Sequence, residues 1–197
     1  MNSGGVHIID DFISEYDMDL IDELMSKAKI GDTGQVSDDG IHYETGEKYD
    51  SRTGLLIAIQ PTKRVIVENE ANLRKTIDSY VLLTQQEIKK YCGGEPLLEK
   101  NFGITVYVEG ESLIAHYDGI NRELKTPNGN PTRDVSTVLY LGGEFTGGLL
   151  VFTKLGITIN PKKGSLVIFP SGEKYEHLVT KVESGQRFMI SQFWCVQ

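Results

Sequence analysis

Three side chains, distant from one another in the chain, are of the types that hold a transition metal. In Leu113-Ile114-Ala115-His116-Tyr117-Asp118, His116 and Asp118 stand two residues apart in a stretch that reads as a strand. Alternate residues of a strand leave the same face, so an imidazole and a carboxylate can meet at one point while Tyr117 turns away. A third donor must come from elsewhere. His177, in Tyr175-Glu176-His177-Leu178-Val179, lies on another predicted strand 59 residues after Asp118. Two imidazoles and one carboxylate on one face of an octahedral ion leave three positions open to other ligands, the pattern suited to iron(II).

A His-x-Asp pair by itself is a weak sign, because so short a motif arises by chance. Its weight comes from Arg187, ten residues after His177, at the head of the apolar run Arg187-Phe188-Met189-Ile190. A guanidinium in a core strand is costly unless paired. A carboxylate ligand inside the fold would accept its two-pronged hydrogen bonds. Tyr140 and Tyr107 fall on strands expected beside the ligand strands, and each could offer a hydroxyl to an oxyacid. A strand tyrosine also serves simply as core with its hydroxyl satisfied.

The elements that must position these groups change character along the chain. Residues 6–9 read as a short strand. Ser14 is the expected cap of an amphipathic helix over 15–29, with Met18, Ile21, Leu24, Met25 and Ala28 on one face. The stretch 31–50 is polar and glycine-rich and reads as a loop; 53–59 reads as a strand. A second helix is expected over 68–91, with Leu73, Ile77, Val81 and Ile88 on its stripe, stopping at Gly93-Gly94. From Gly103 onward the spacing predicts strands at 103–108, 112–117, 135–141, 148–153, 156–160, 165–169, 177–182 and 187–195, with a second long loop at 119–134. Eight short strands after two helices predict a mainly β fold, a jelly roll with N-terminal helices packed on one sheet. A chain of 197 residues fits a single domain over 1–197, with 1–100 as helical and strand support and 101–197 as the catalytic core.

Taken in order, these residues resemble the prolyl 4-hydroxylase branch of the Fe(II)/2-oxoglutarate dioxygenases. Ser51-Arg52-Thr53 is similar to the arginine-centred segment before an early strand of that family. Thr137-Val138-Leu139-Tyr140-Leu141 and Gly147-Gly148-Leu149-Leu150 resemble its tyrosine strand and Gly-Gly turn, and Pro161 to Phe169 the stretch that leads to the distal histidine. The resemblance implies a double-stranded β-helix with iron(II) on His116, Asp118 and His177. It implies 2-oxoglutarate chelating the metal through its keto-acid end, with Arg187 on the distal carboxylate, Tyr140 assisting, and Tyr107 nearer the iron. O2 would be the second cosubstrate and ascorbate the reductant. Arg52 and the loop 31–52 would close over a peptide or protein substrate containing proline, with succinate and CO2 as coproducts.

Two departures fall where substrate would be recognised. The Gly-Gly turn continues as Leu149-Leu150 where collagen-type members have Glu-Thr, and the loop 119–134 has a sequence of its own. A carboxylate at Asp118 implies hydroxylation rather than halogenation, since no position is vacated for halide. Phe193 stands where the nucleic-acid demethylase branch carries a second arginine. The same chemistry on a free amino acid, another side chain or a small metabolite stays open, as does a cupin-like binding module without turnover. Arg187 speaks against the last, because a plain metal store needs no carboxylate clamp.

Bulk properties agree. Hydrophobic content of 39% and charged content of 24% are those of an ordinary globular protein. A net charge of −8 disfavours a nucleic-acid partner, which needs lysine and arginine to neutralise phosphates. No apolar run is long enough for a membrane span. The N-terminus lacks a basic-then-apolar layout, and two distant cysteines, Cys92 and Cys195, suit a reducing compartment. The expected location is the cytoplasm.

Overall fold

The computed structural model describes residues 5–26, 71–98, 104–119 and 133–197 in full. It also describes the backbone of the short strands Asn2–Ser3, Lys29–Asp32, Ile41–His42, Glu47–Tyr49, Leu56–Ala58 and Lys63–Ile66. Arg52, Ala28, residues 120–132 of the second loop, and the 31–52 loop apart from its short strands lie outside the described residues.

Helix α1 spans Glu15–Ser26 and starts as its sequence predicts. The Asp17 N–H donates to Ser14 Oγ at 3.2 Å and the Ser14 hydroxyl donates to Asp17 Oδ2 at 2.8 Å, so one orphan amide of the first turn is satisfied. Helix α2 spans Ala71–Cys92, the expected residues 68–70 lying outside the described residues, and it buries Tyr80 and Thr84 besides Leu73, Ile77 and Ile88. It ends where Gly93 turns left-handed at φ +77°.

Both helices cover one face of a large antiparallel sheet. Its strand order is Asn2–Ser3, Val6–Ile9, Leu166–Pro170, Val135–Gly142, Val182–Val196, Ile104–Val108, Lys63–Ile66 and Lys29–Asp32. Residue alternation sorts the side chains. Leu139, Leu141, Leu166, Ile168, Phe188 and Ile190 pack with Met18, Ile21, Leu73 and Ile77 of the helices. Their neighbours Val138, Tyr140, Val167, Phe169 and Met189 face the other way, against Leu150, Phe152 and Val179 of a smaller sheet. Every residue of Val135–Gly142 is therefore buried, so Val138 to Leu141 are apolar on both faces of the sheet while Ser136 and Thr137 are buried polar groups with hydrogen-bond partners. The smaller sheet has the order Leu113–His116, His177–Val179, Leu150–Phe152 and Ile157–Ile159. The two curled antiparallel sheets form the expected double-stranded β-helix, and the site lies between them.

Four local readings change. The last strand begins at Val182 and not at 187, because Gly185 and Ser184 pair through backbone with Phe145 and Thr146 of an unforeseen strand, Phe145–Gly147, with Glu183 in a bulge beside them. Glu183 and Ser184 are polar and exposed, so apolar alternation could not mark them. A further strand, Pro96–Leu98, pairs with the end of the same long strand. The strand predicted over 177–182 stops at Val179. The region read as a loop at 31–50 contains strands Ile41–His42 and Glu47–Tyr49, which join Leu56–Ala58 in a three-stranded sheet. No helix among the described residues is long and apolar enough to cross a membrane.

Candidate active site

His116 and His177 are direct cross-strand partners in the smaller sheet, although 61 positions separate them. Leu113 pairs with Val179 and His116 with His177, so the first strand carries one extra residue between the two pairs. Such a bulge re-aims the side chains that follow it. His116 ends its strand, and the chain bends at Asp118. The strand predicted through 117 is thus too long, and Asp118 reaches the site through a bend rather than through regular alternation. The bend is held where the Gly119 N–H donates to the Ser171 carbonyl at 2.7 Å; a Cβ at Gly119 would sit 2.8 Å from the Arg133 carbonyl, so only glycine fits.

The three donors converge. His116 Nε2 lies 3.5 Å from Asp118 Oδ1 and His177 Nε2 lies 3.7 Å from Asp118 Oδ2, with all three ligand-type atoms within 4.8 Å of one another. Each ring is turned by its other nitrogen. His116 Nδ1 is 2.9 Å from the Ile114 carbonyl and His177 Nδ1 is 2.9 Å from the Tyr175 carbonyl. A carbonyl can only accept, so each Nδ1 carries the proton and each Nε2 presents a lone pair to the space beside Asp118. Metal-binding histidines are oriented in this way.

Burial would raise the Asp118 pKa, but the charge of His177 and the hydrogen bond and charge of His116, with help from Ser136, hold the carboxyl well below its usual range. Burial also works against a charged His116, yet its contact with Asp118 outweighs this and the ring titrates above its ordinary value. His177 is more deeply enclosed, edge-on to Phe169 at 4.9 Å, and burial pushes it down despite the attraction of Asp118. Ser136, hydrogen-bonded to Ser171 at 2.7 Å, was not singled out from the sequence. A buried serine between Val135 and Thr137 was its only signal.

Arg187 lies in the same interior, 1% exposed. It faces Tyr107 across the sheet, and its guanidinium lies 5.0 Å from the Tyr107 ring centroid and 4.9 Å from that of Tyr140. One terminal nitrogen donates to the Tyr140 hydroxyl at 3.1 Å and the other to the Met189 sulfur at 3.0 Å, a weak acceptor. Its Nε has no partner, and among the described residues no carboxylate pairs with it. A buried guanidinium left without an anion is costly, so the pocket is built for an anionic ligand. Burial raises both phenols, in opposition to the charge of Arg187, so they remain hydrogen-bond donors. Two imidazole lone pairs, one carboxylate, and an unpaired cation with a phenol beside it suit iron(II) and a dicarboxylic keto acid.

Residues 102–195 match the family model of the 2OG-Fe(II) oxygenase superfamily. The matched stretch contains all four residues of the site, His116, Asp118, His177 and Arg187. The chain is 35% identical over 142 residues to prolyl 3-hydroxylase 2 of Rattus norvegicus, an overlap of 70% of this chain and 20% of that protein. It spans 10% to 20% of the length of the curated relatives it matches. The fold is shared with the viral collagen prolyl hydroxylase of Paramecium bursaria Chlorella virus-1, at a TM-score of 0.60 and 17% identity, over 100% of this chain and 99% of that one. It is shared as well with a Trichoplax adhaerens prolyl hydroxylase in complex with a hypoxia inducible factor oxygen degradation domain peptide. That TM-score is 0.61 at 19% identity, over 99% of this chain and 85% of the other. The matched family is named for iron(II) and 2-oxoglutarate, the two groups that this donor set and its buried cation suit.

Proposed function

We propose that the protein hydroxylates a prolyl residue in a peptide or protein, using iron(II), 2-oxoglutarate and O2. The observation that carries this reading is Arg187, a buried guanidinium without an anion in the same interior as the His-Asp-His cluster. Its sequence relatives bear the name prolyl 3-hydroxylase, and a neighbour of the same fold has a peptide in complex, both of which favour a peptide substrate.

In this reading His116, Asp118 and His177 hold the metal through Nε2, carboxylate and Nε2. Arg187 and the Tyr140 hydroxyl take the distal carboxylate of 2-oxoglutarate, a charge-assisted contact of fixed direction. Tyr107 supplies its ring to the guanidinium and its hydroxyl toward the metal-proximal end of the cosubstrate. Phe152, Phe169 and Met189 keep the interior dry, which strengthens every charge interaction inside it. When bound, iron(II) and 2-oxoglutarate supply the oxidative chemistry, in which one oxygen of O2 enters succinate and the other the substrate C–H bond, with loss of CO2. Arg52 and the 31–52 loop are assigned to substrate closure, and ascorbate to keeping the metal reduced.

The deciding experiment incubates the purified protein with proline-containing peptides, iron(II), 2-oxoglutarate and ascorbate. Mass spectrometry should show a gain of one oxygen on a prolyl residue with one succinate formed per event, and NMR of the product assigns the hydroxyl to C3 or C4. Succinate formation with no change in any proline peptide would redirect the assignment to another substrate of the same chemistry.

A further inference from the structure

His177 is oriented through one backbone atom, the carbonyl of Tyr175, at 2.9 Å from Nδ1. Tyr175 closes the short 3-10 turn Glu173–Tyr175, where its N–H donates to the Gly172 carbonyl at 2.9 Å. A turn of three residues on the protein surface has little rigidity of its own. The Thr153 N–H donates to the Glu176 carbonyl at 3.0 Å and Lys154 pairs with Glu173 at 2.7 Å, and toward the interior the turn is anchored by the Tyr175 ring, which packs against the inner cluster beside Gly5. A Cβ at Gly5 would run into the Tyr175 hydroxyl, with ring carbons at 3.1 and 3.3 Å, and the backbone there has φ +90°, a conformation open to glycine. Gly5 is pinned in turn by the end of α2, where the Tyr91 hydroxyl donates to the Gly5 carbonyl at 2.5 Å and His7 stacks on the Tyr91 ring at 6.4 Å. Burial first, then Tyr175 and Cys92, push Tyr91 up to about 12, so its phenol keeps the proton that makes this bond.

We infer that Tyr175 is a positioning residue for His177, held in a notch formed by Gly5 and Tyr91. The N-terminal turn and the last turn of α2 thereby reach the metal-facing imidazole without placing a side chain in the site. This role rests on the reading of His177 as a metal ligand. The geometry explains why Gly5 carries no side chain and why a tyrosine stands two residues before the ligand. Loss of an orienting contact outside a metal's ligand set costs on the order of 10- to 100-fold in metal affinity.

The test is Mn2+ binding by the full chain, followed by electron paramagnetic resonance well below each variant's melting temperature. Tyr175→Ala and Gly5→Ala should weaken Mn2+ binding by roughly 10- to 100-fold, with Tyr91→Phe moving in the same direction by less. Tyr175→Phe, which keeps the ring, should bind as wild type. Leu139→Ala, on the helix-facing side of the large sheet, should lower the melting temperature and leave Mn2+ affinity unchanged, separating positioning from general loosening. Should Tyr175→Ala fail to fold, Gly5→Ala and Tyr91→Phe displace the same notch from its other side and decide the matter. Wild-type affinity in the folded variants that disturb the notch would overturn the assignment. Absence of Mn2+ binding in the wild-type protein itself would instead remove the metal reading beneath it.

Discussion

His116 and His177 stand opposite each other across two antiparallel strands, ring centroids 4.4 Å apart, with the Asp118 carboxylate within 3.7 Å of both Nε2 atoms. Two imidazoles and a carboxylate packed this closely have the donor types and spacing to hold a divalent cation. A ligand that binds only the folded state at 100 times its Kd adds about 2.7 kcal/mol of stability. Mn2+ should therefore raise the melting temperature of the wild-type protein, while His116→Ala and His177→Ala should show no such rise and form no succinate. Succinate production by either variant at the wild-type rate would refute the metal assignment.

The acid limit of metal binding is set by His116. Its ring titrates above the ordinary imidazole value because the pull of Asp118 exceeds the opposing effect of burial, whereas His177 and Asp118 are both shifted down. On lowering the pH, His116 is protonated first and metal affinity declines from that point. The same shift makes His116 a stabilising contact in the metal-free protein below the unfolded-state imidazole pKa, lost as pH rises through its folded value. In Asp118→Asn the pull of the carboxylate is gone, leaving only the Ile114 carbonyl and the charge of Glu176 to oppose burial. Histidine NMR of the metal-free variant should show the His116 midpoint moved to lower pH, and an unmoved midpoint would mean that the pair does not interact.

Arg187→Met should separate stability from function. The guanidinium is fully enclosed with its Nε unsatisfied, and replacing an uncompensated buried charge with an apolar chain of similar length is neutral or stabilising. Without 2-oxoglutarate the variant should melt at or above the wild-type temperature. Its apparent KM for 2-oxoglutarate should rise steeply, since truncating a buried charge pair costs on the order of 2–5 kcal/mol. A marked fall in melting temperature together with an unchanged KM would assign Arg187 to the core.

The two pocket tyrosines should respond unequally to loss of the hydroxyl. Tyr140 accepts a direct hydrogen bond from Arg187 at 3.1 Å, and bonds to charged groups contribute about 1.5–3 kcal/mol. Tyr140→Phe should raise the KM for 2-oxoglutarate by roughly 10- to 100-fold. Tyr107 meets the guanidinium with its ring face at 5.0 Å, which phenylalanine retains. Tyr107→Phe should change that KM less. Equal effects, measured by succinate formation over a range of 2-oxoglutarate, would show that the Tyr107 hydroxyl is also a direct contact.

Much of this architecture was legible because it rests on local rules. Short β-rich segments set off by glycine turns marked the strands around Val106, Leu139, Ile168 and Ile190, and the Ser14 cap marked the start of α1. Strands held mainly by backbone pairing, such as Phe145–Gly147 and Glu183 to Gly185, left no apolar trace and were missed. Arg52 and the 31–52 loop rested on the family resemblance alone, and Arg52 lies outside the described residues.

What the sequence determined by itself was the inventory: two imidazoles, a carboxylate, a lone arginine in an apolar strand and two tyrosines, each but Asp118 on a segment whose pattern named its element. What only the tertiary structure decided was their meeting. The bulge before His116, the bend at Asp118 held by the Ser171 carbonyl and the enclosure of Arg187 by Tyr140 all come from contacts between segments tens of residues apart, while the carbonyls that choose each histidine's tautomer lie only two residues away. Periodicity records which face a residue takes relative to its neighbours in the chain, and register between distant strands is settled only when both sheets pack around one interior.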